Sequence, residues 1–500
     1  MLDRVTRRLE QSPALGVGIG VFMFVIVVWL QSSRPLWYDE IITLYVCRLP
    51  DLATIWKAMG EGVDYNPPFF YLATRTAVWL FGESANVLRL PGMVGYFGLC
   101  ASVFTVVARR LGYGYGLAAG LLPLGLGSVY YATEARAYGL MLGCTGLAVV
   151  AWDFARAGVR PRLNLAAMSL FLTGALLTHC YAVLVLFPFG LVWLVRVCRK
   201  KPQPAMAYLA AILLPLLAVA TYLPLLAAIR PFAVENELFQ ARWTSIIEFY
   251  HFVLDPAWLL AFTWIAVAQM YGNDRKLRFE ERPEDTDLWV LGTGFLLVPV
   301  LAILLAASYT HILMSRYALA AIIGVSILLP LATVRLVGGD RRLGAALGLG
   351  VISILLINSG FRIYHRWEPA KERSTSLQSR RADLPMVLGS GLLYLEMDRE
   401  EPAANLARMT YVLDEQAART YTGSDIFDKS FPVMKRWFPL RMRLETYQDF
   451  TQRQSRFLML EIKGHGLNWL SKKIRADGGR VQLVETSGRL ALYEVDALPH

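Results

Sequence analysis

Up to about residue 361 the chain alternates long apolar runs with short polar breaks, and after that its character changes. A hydrocarbon core of about 30 Å takes roughly 20 apolar residues of helix. Runs of that order predict about eleven spans, at 14–30, 86–108, 113–132, 136–156, 163–178, 181–197, 206–229, 256–271, 287–308, 314–335 and 343–361. One further run, "NPPFFYLATRTAVWLFG" at 66–82, is apolar but short, with Arg75 near its middle. A central arginine costs about 2.5–3.5 kcal/mol on insertion scales. This segment is therefore predicted to lie in the interface, with Arg75 reaching to headgroups.

The basic clusters agree with that choice. With 66–82 kept out of the span count, Arg4/Arg7/Arg8, Arg109/Arg110, Arg156/Arg160/Arg162, Arg199/Lys200/Lys201, Arg275/Lys276/Arg278 and Arg335/Arg341/Arg342 all fall on the N-terminal side. The positive-inside rule makes that side the cytoplasm. Counting 66–82 as a span would turn most of them outward.

Past residue 365 the apolar runs are short: "LPMVLGS", "MTYVLD", "RFLMLEI", "RVQLVE" and "LALYEV". Between them lie helix-like stretches such as "GLNWLSKKIRADGG", stopped by Gly478 and Gly479. Strands alternating with helices predict a small α/β domain. The Gly389–Gly391 "GSG" after the first strand lacks the rest of a phosphate-loop fingerprint and reads as an ordinary strand-to-helix turn.

Composition sets the class. Apolar residues make up 55% of the chain and mean hydropathy is +0.42, which excludes a soluble enzyme. The net charge of +11 sits largely in clusters between spans, so it does not point to nucleic acid. The first apolar run lacks a small-residue cleavage site and is expected to remain as a signal anchor. The five cysteines form no scaffold, and neither HExxH nor paired CxxC spacing occurs. The fold expected is an all-α polytopic membrane domain with interfacial helices over 1–365, its first outer loop at 31–85, and an outer α/β domain over 366–500.

This sidedness gathers ionisable groups at the outer face: Asp39/Glu40 in "SSRPLWYDEIITLY", Glu134/Arg136, His179, Arg242, His311 and Arg316. Each also has a purely structural reading. Asp39 and Glu40 suit the N-terminus of the helix that follows, and Glu134 with Arg136 suits an ion pair closing a turn. His179 suits a cation at a helix C-terminus, and Arg316 a side chain snorkelling to headgroups.

Taken in order, the motifs resemble a known family. They are Asp39–Glu40 just after the first span, Pro67–Pro68 opening an interfacial helix, Gly82–Glu83–Ser84 running to Arg89, "EARAY" at 134–138, "THCY" at 178–181 and "SRY" at 315–317. Over roughly 20–365 this resembles the GT-C glycosyltransferases. The similar branch contains protein mannosyltransferases, lipid A aminoarabinose transferases and galacturonosyltransferase-like enzymes. The resemblance implies an inverting transferase that moves a sugar from a polyprenyl-phosphate donor to a lipid, glycan or protein acceptor. Such an enzyme would sit in a bacterial inner membrane, N-terminus cytoplasmic and C-terminal domain periplasmic.

The same resemblance assigns Asp39 as the general base, Glu40 as an orienting acid and Glu134 as a further carboxylate. Arg316, Arg242, Arg136 and Arg75 are its candidates for stabilising the departing phosphate. Arg89, Tyr138, His179 and Tyr317 carry over as substrate contacts from their motifs, and Tyr38 is placed to stack on a sugar ring. Where many relatives have His or Lys before the proline, this chain has Asn66, which donates a hydrogen bond but brings no charge. Asp39, Glu40 and Glu134 offer the oxygen ligands that Mg or Mn prefers. The branch resembled is usually metal-independent, so no cofactor is expected. A transporter or flippase of lipid-linked saccharides is the alternative, but it would bury charges mid-span and show pseudo-symmetric halves. Neither is visible in the sequence.

Overall fold

The computed structural model describes residues 2–200, 205–235, 240, 242–254, 264–266, 269, 285–366 and 383–497. Most of the expected span 256–271, Lys201 and the Arg275/Lys276/Arg278 cluster lie outside these residues. The chain divides into two compact units. Met1–Arg34, Asn66–Pro224 and Ala241–His365 form the first, and Pro35–Tyr65, Leu225–Gln240 and Arg366–His500 the second.

The first unit is helical. Among the described residues six helices are long and apolar enough to cross a membrane: Pro13–Ser32, Ala85–Leu111, Tyr138–Arg156, Cys180–Cys198, Ala205–Ala228 and Arg341–Ile363. A seventh crossing comes from Asp285–Leu296 and Val298–Thr310 if that pair, bent by 40°, is one span. The chain is a multi-pass membrane protein. Its apolar outside supports this: Pro13–Ser32 exposes Phe22, Val25 and Trp29, a surface that lipid tolerates and water does not.

Several expected spans take other forms. The run at 113–132 is a helix, Tyr113–Gly125, followed by a 3-10 segment, Gly127–Ala132. The run at 314–335 opens with a 3-10 turn, Ser315–Ala318, before Ala321–Val337. Pro161–Thr178 is an unbroken helix of 18 residues diluted by Arg162 and Asn164. The expected interfacial segment is the helix Phe69–Phe81, 13 residues long. At 1.5 Å per residue it measures about 20 Å, less than the hydrocarbon thickness.

Ion pairs gather one set of helix ends. Asp153 takes Arg109 at 2.9 Å and Arg156 at 2.6 Å, Arg110 pairs with Asp285, and Arg196 meets Asp287 at 2.5 Å. The amphipathic N-terminal helix Leu2–Gln11 joins the same end through Asp3–Arg342 and Glu10–Arg341. The three aspartates are buried, and pairing offsets the cost of taking their charge out of water.

Close backbone packing fixes the opposite end. Gly92 and Gly95 of Ala85–Leu111 face Gly139 and Gly143 of Tyr138–Arg156. A methyl on Gly95 would run into the Gly139 carbonyl, and one on Gly143 into the Gly95 carbonyl. Small residues three or four positions apart, here Gly92 with Gly95 and Gly139 with Gly143, put hydrogen atoms in place of side chains on one face of each helix and allow this approach in a membrane helix pair. A methyl on Gly92 would lie 3.0 Å from the Glu134 carbonyl, so the same contact seats the turn that carries Glu134.

The second unit holds a six-stranded sheet in the order β3-β2-β1-β4-β6-β5. The strands are β1 (Met386–Leu388), β2 (Met409–Leu413), β3 (Arg443–Thr446), β4 (Arg456–Ile462), β5 (Arg480–Ser487) and β6 (Leu490–Asp496). Strands β1 to β4 run parallel, while β6 pairs antiparallel with both β4 and β5. One face buries Val387, Val412, Met459 and Val495 against Tyr447, Phe450 and Trp469. On the other face Tyr411 meets Tyr394 and Phe431. The "GSG" turn leads from β1 into the helix Leu392–Glu400. A side chain at Gly391 would collide with Phe427, so its glycine serves packing. Two helices from the expected first loop, Tyr38–Arg48 and Leu52–Gly60, belong to this unit.

Candidate active site

The Gly82–Ser84–Arg89 pattern resolves into local structure. Gly82, with φ +79, ends Phe69–Phe81 in a conformation that favours glycine. Ser84 then caps Ala85–Leu111 by accepting the Val87 N–H at 3.3 Å. Arg89 lies in the second turn, is 0% exposed, and donates to the carbonyls of Ser32 and, at 2.9 Å, Arg34. Through these two bonds Arg89, expected as a substrate contact, clamps the chain leaving the first apolar helix. Arg34 continues the chain of contacts: it donates to the Thr133 carbonyl at 3.2 Å and lies 4.5 Å over the Tyr130 ring. Two arginines thus hold residues 32–34 against the turn before Glu134.

Glu134 is completely buried and Arg136 almost so; the Arg136 N–H donates to the Glu134 carbonyl at 2.7 Å. Tyr138 begins the next helix and packs on His179 with ring centres 5.1 Å apart. His179 sits where Pro161–Thr178 ends and the 3-10 segment Cys180–Val185 begins. Its Nδ1 accepts the Tyr181 N–H at 3.1 Å. Tyr317 closes the cluster, 5.2 Å from His179 and stacked on Tyr181 at 4.4 Å. Tyr181 is fixed in turn by donating its hydroxyl to the Ile312 carbonyl. Arg316 lies 5.7 Å over the Tyr138 ring. The structure therefore brings together Tyr138, His179, Arg316 and Tyr317 from separate stretches of sequence.

Beside this cluster opens a cleft of about 310 Å³, walled by Tyr131, Phe249 and Phe252, with Ser245, Glu248, Ser315 and Arg316 as polar groups. Tyr131 joins the two parts, 5.1 Å from Tyr138 and 5.9 Å from Phe252. Such a lining suits an amphipathic ligand. The guanidinium can take a phosphate, the hydroxyls can bond to a sugar, and the aromatic rings can pack on a sugar face or an isoprenoid. The sequence singled out neither Tyr131 nor Ser245 nor Glu248, and held Tyr181 only as the last residue of "THCY"; the only signal for Tyr131 was its place three residues before Glu134.

No family model and no curated protein matches the sequence. Solved structures do match in fold, two of them structures of ArnT. One is ArnT from Cupriavidus metallidurans in the apo state, at a TM-score of 0.53 and 12% identity over 96% of this chain and 97% of that one. The other is ArnT from the same organism bound to undecaprenyl phosphate, at 0.52 and 11% over the same shares. The chain has an ArnT-like fold.

The remaining expected residues are placed as follows. In the second unit Tyr38 is buried on Phe427 and Phe431, at ring distances of 5.5 and 6.3 Å. Glu40, fully buried, accepts the Trp37 N–H at 3.3 Å and so caps Tyr38–Arg48 from its first turn. Asp39 is half-buried in the same turn, its carbonyl accepting the Thr43 hydroxyl. Asn66 is buried just before Pro67–Pro68, and Arg75 is half-buried on Phe69–Phe81. Arg242 is exposed in the turn before Ser245–Leu254. Among the described residues no three His, Cys, Asp or Glu side chains gather in a metal-binding group.

Proposed function

We propose that this protein is an inverting membrane glycosyltransferase of the GT-C type, with about eleven spans. It takes a sugar from a polyprenyl-phosphate donor and transfers it to a lipid, glycan or protein acceptor. Its basic helix ends lie in the bacterial cytoplasm, and the transfer site and α/β domain face the periplasm. The carrying observation is the ArnT-like fold along 96% of the chain. ArnT has been solved with undecaprenyl phosphate bound, and the cleft lined by Arg316, Ser315 and aromatic rings suits that kind of ligand.

In the reaction the acceptor hydroxyl oxygen attacks the anomeric carbon from the face opposite the phosphate. The new glycosidic bond forms as the bond to the phosphate oxygen breaks, and polyprenyl phosphate leaves with the electron pair. The hydroxyl proton passes to the Asp39 carboxylate. Arg316 and Arg136 offset the charge developing on the phosphate. Arg75, Arg242 and Asn66 give further donors, and Tyr138, His179 and Tyr317 shape the wall. Glu40 orients the helix start that carries Asp39, and Glu134 is the second carboxylate of the set.

The test is sugar transfer by purified protein in nanodiscs, with a panel of polyprenyl-phosphate sugars and a membrane extract as acceptor. Asp39→Asn, folded as wild type, should lose transfer by about 10²-fold or more. Undiminished transfer would remove Asp39 from the mechanism. Failure of wild type to bind any polyprenyl phosphate would remove the transferase reading.

A further inference from the structure

We propose that the first unit carries a second site, separate from the cleft, that seats one acidic bilayer phospholipid with its phosphate on Arg362. The site is a groove of about 280 Å³ whose floor is Val27, Leu30, Leu124 and Leu355. Asn358, Ser359 and Arg362 form its rim. This inference does not depend on the transferase reading.

Three observations carry it. The first is a polarity gradient along the helix Arg341–Arg366, which passes from Leu355 through Asn358 and Ser359 to Arg362. Seven residues of helix rise about 10 Å. Acyl-lined floor and cation therefore lie one above the other as chain and headgroup do in a lipid. The second is the medium at the mouth. The same helix exposes Leu356, Ile357, Phe361 and Ile363, at 48%, 58%, 62% and 45%. An apolar surface of that extent faces hydrocarbon, so what enters the groove comes from the bilayer. The third is charge: a guanidinium takes phosphate oxygens bidentately, so an anionic headgroup is preferred over a zwitterionic one whose ammonium is repelled.

The groove also touches the cleft through its wall. Val129 lines the groove and Tyr131 lines the cleft, two positions apart on the 3-10 segment Gly127–Ala132. A lipid in the groove braces that segment from behind.

Native mass spectrometry of the full chain, with dioleoyl phosphatidylglycerol, dioleoyl phosphatidylcholine or undecaprenyl phosphate added to delipidated protein, tests the proposal. Phosphatidylglycerol should give a saturable one-to-one adduct. Arg362→Gln should weaken it about tenfold, the loss of one charge-assisted contact. Asn358→Trp, which fills the groove, should abolish it, while Arg199→Gln at an exposed position elsewhere should leave it intact. Melting midpoints matching wild type show that the variants are folded. Equal retention in Asn358→Trp, or equal weakening by Arg199→Gln, would overturn the site. Tighter retention of undecaprenyl phosphate than of phosphatidylglycerol, lost in Asn358→Trp, would overturn the assignment of its occupant.

Discussion

Replacing Arg89 separates a structural from a chemical role for the Gly82–Ser84–Arg89 pattern. The Arg89 guanidinium is out of reach of solvent and holds the Ser32 and Arg34 carbonyls. Arg89→Ala deletes both bonds and leaves two carbonyls short of a donor in a site too closed to admit water freely. Each lost partner costs about 1–3 kcal/mol, and the void adds to that, so the total should be about 3–5 kcal/mol. Lysine keeps the charge but cannot span both carbonyls in the guanidinium's planar geometry, so Arg89→Lys should recover about half of the loss. The assay is the melting midpoint of detergent-purified protein by tryptophan fluorescence, beside transfer kinetics at a temperature where each variant is folded. The expected result is a midpoint lowered by several degrees in Arg89→Ala, by less in Arg89→Lys, with an unchanged donor KM. An unchanged midpoint with a donor KM raised tenfold would refute the clamp and return Arg89 to the substrate.

Other expectations follow from the same reasoning. Gly95→Ala forces a methyl into the Gly139 backbone and should destabilise the bundle by about 1–3 kcal/mol, whereas Gly18→Ala, with nothing within 4 Å, should be neutral in the same melt. Arg316→Gln should lower kcat/KM for a polyprenyl-phosphate sugar by about 10- to 100-fold, the loss of a charged contact, while Arg335→Gln should not; equal effects would point to general charge rather than the cleft. Burial pushes the Asp428 carboxyl from 3.8 up to about 7. The folded state therefore holds a proton that the unfolded state releases, and the stability tied to it is present below about pH 4 and is lost as pH rises to about 7. Asp428→Asn keeps an acceptor for the Asp414 N–H and should flatten the midpoint–pH profile over that window. At pH 8 it should be more stable than wild type, by up to about 4 kcal/mol at 1.36 kcal/mol per pH unit. Glu461, also pushed by burial to about 7, keeps part of the slope in the variant.

What the sequence revealed and what it hid have physical causes. Apolar runs such as 14–30 and 86–108 are legible because the bilayer demands length and hydrophobicity from one continuous helix. Breaks such as that at 125–127 are not, because nothing in "LPLGLGSVYYA" is less apolar than a span and the break depends on neighbouring helices. β1, β2, β4, β5 and β6 appear as short β-rich runs. β3, "RLET", has no buried position and escapes, since an edge strand needs pairing on one side only. The placement of 35–65 in the second unit rests on Tyr38 and Tyr45 meeting Phe427, Phe431 and Phe438, nearly 400 residues away and beyond any local pattern. The motif residues divide by the same logic. Arg89 and Glu40 look chemical because Arg and Glu at a helix start are rare in an apolar chain. Yet a bend in the chain beside a membrane needs donors for its carbonyls and a cap for its N–H groups as urgently as a phosphate needs a cation. Arg316, His179 and Tyr317 resist that reading. They come from two breaks far apart in the chain, His179 after Pro161–Thr178 and Arg316 with Tyr317 in Ser315–Ala318, and only folding gathers them into one aromatic cluster beside an open cleft.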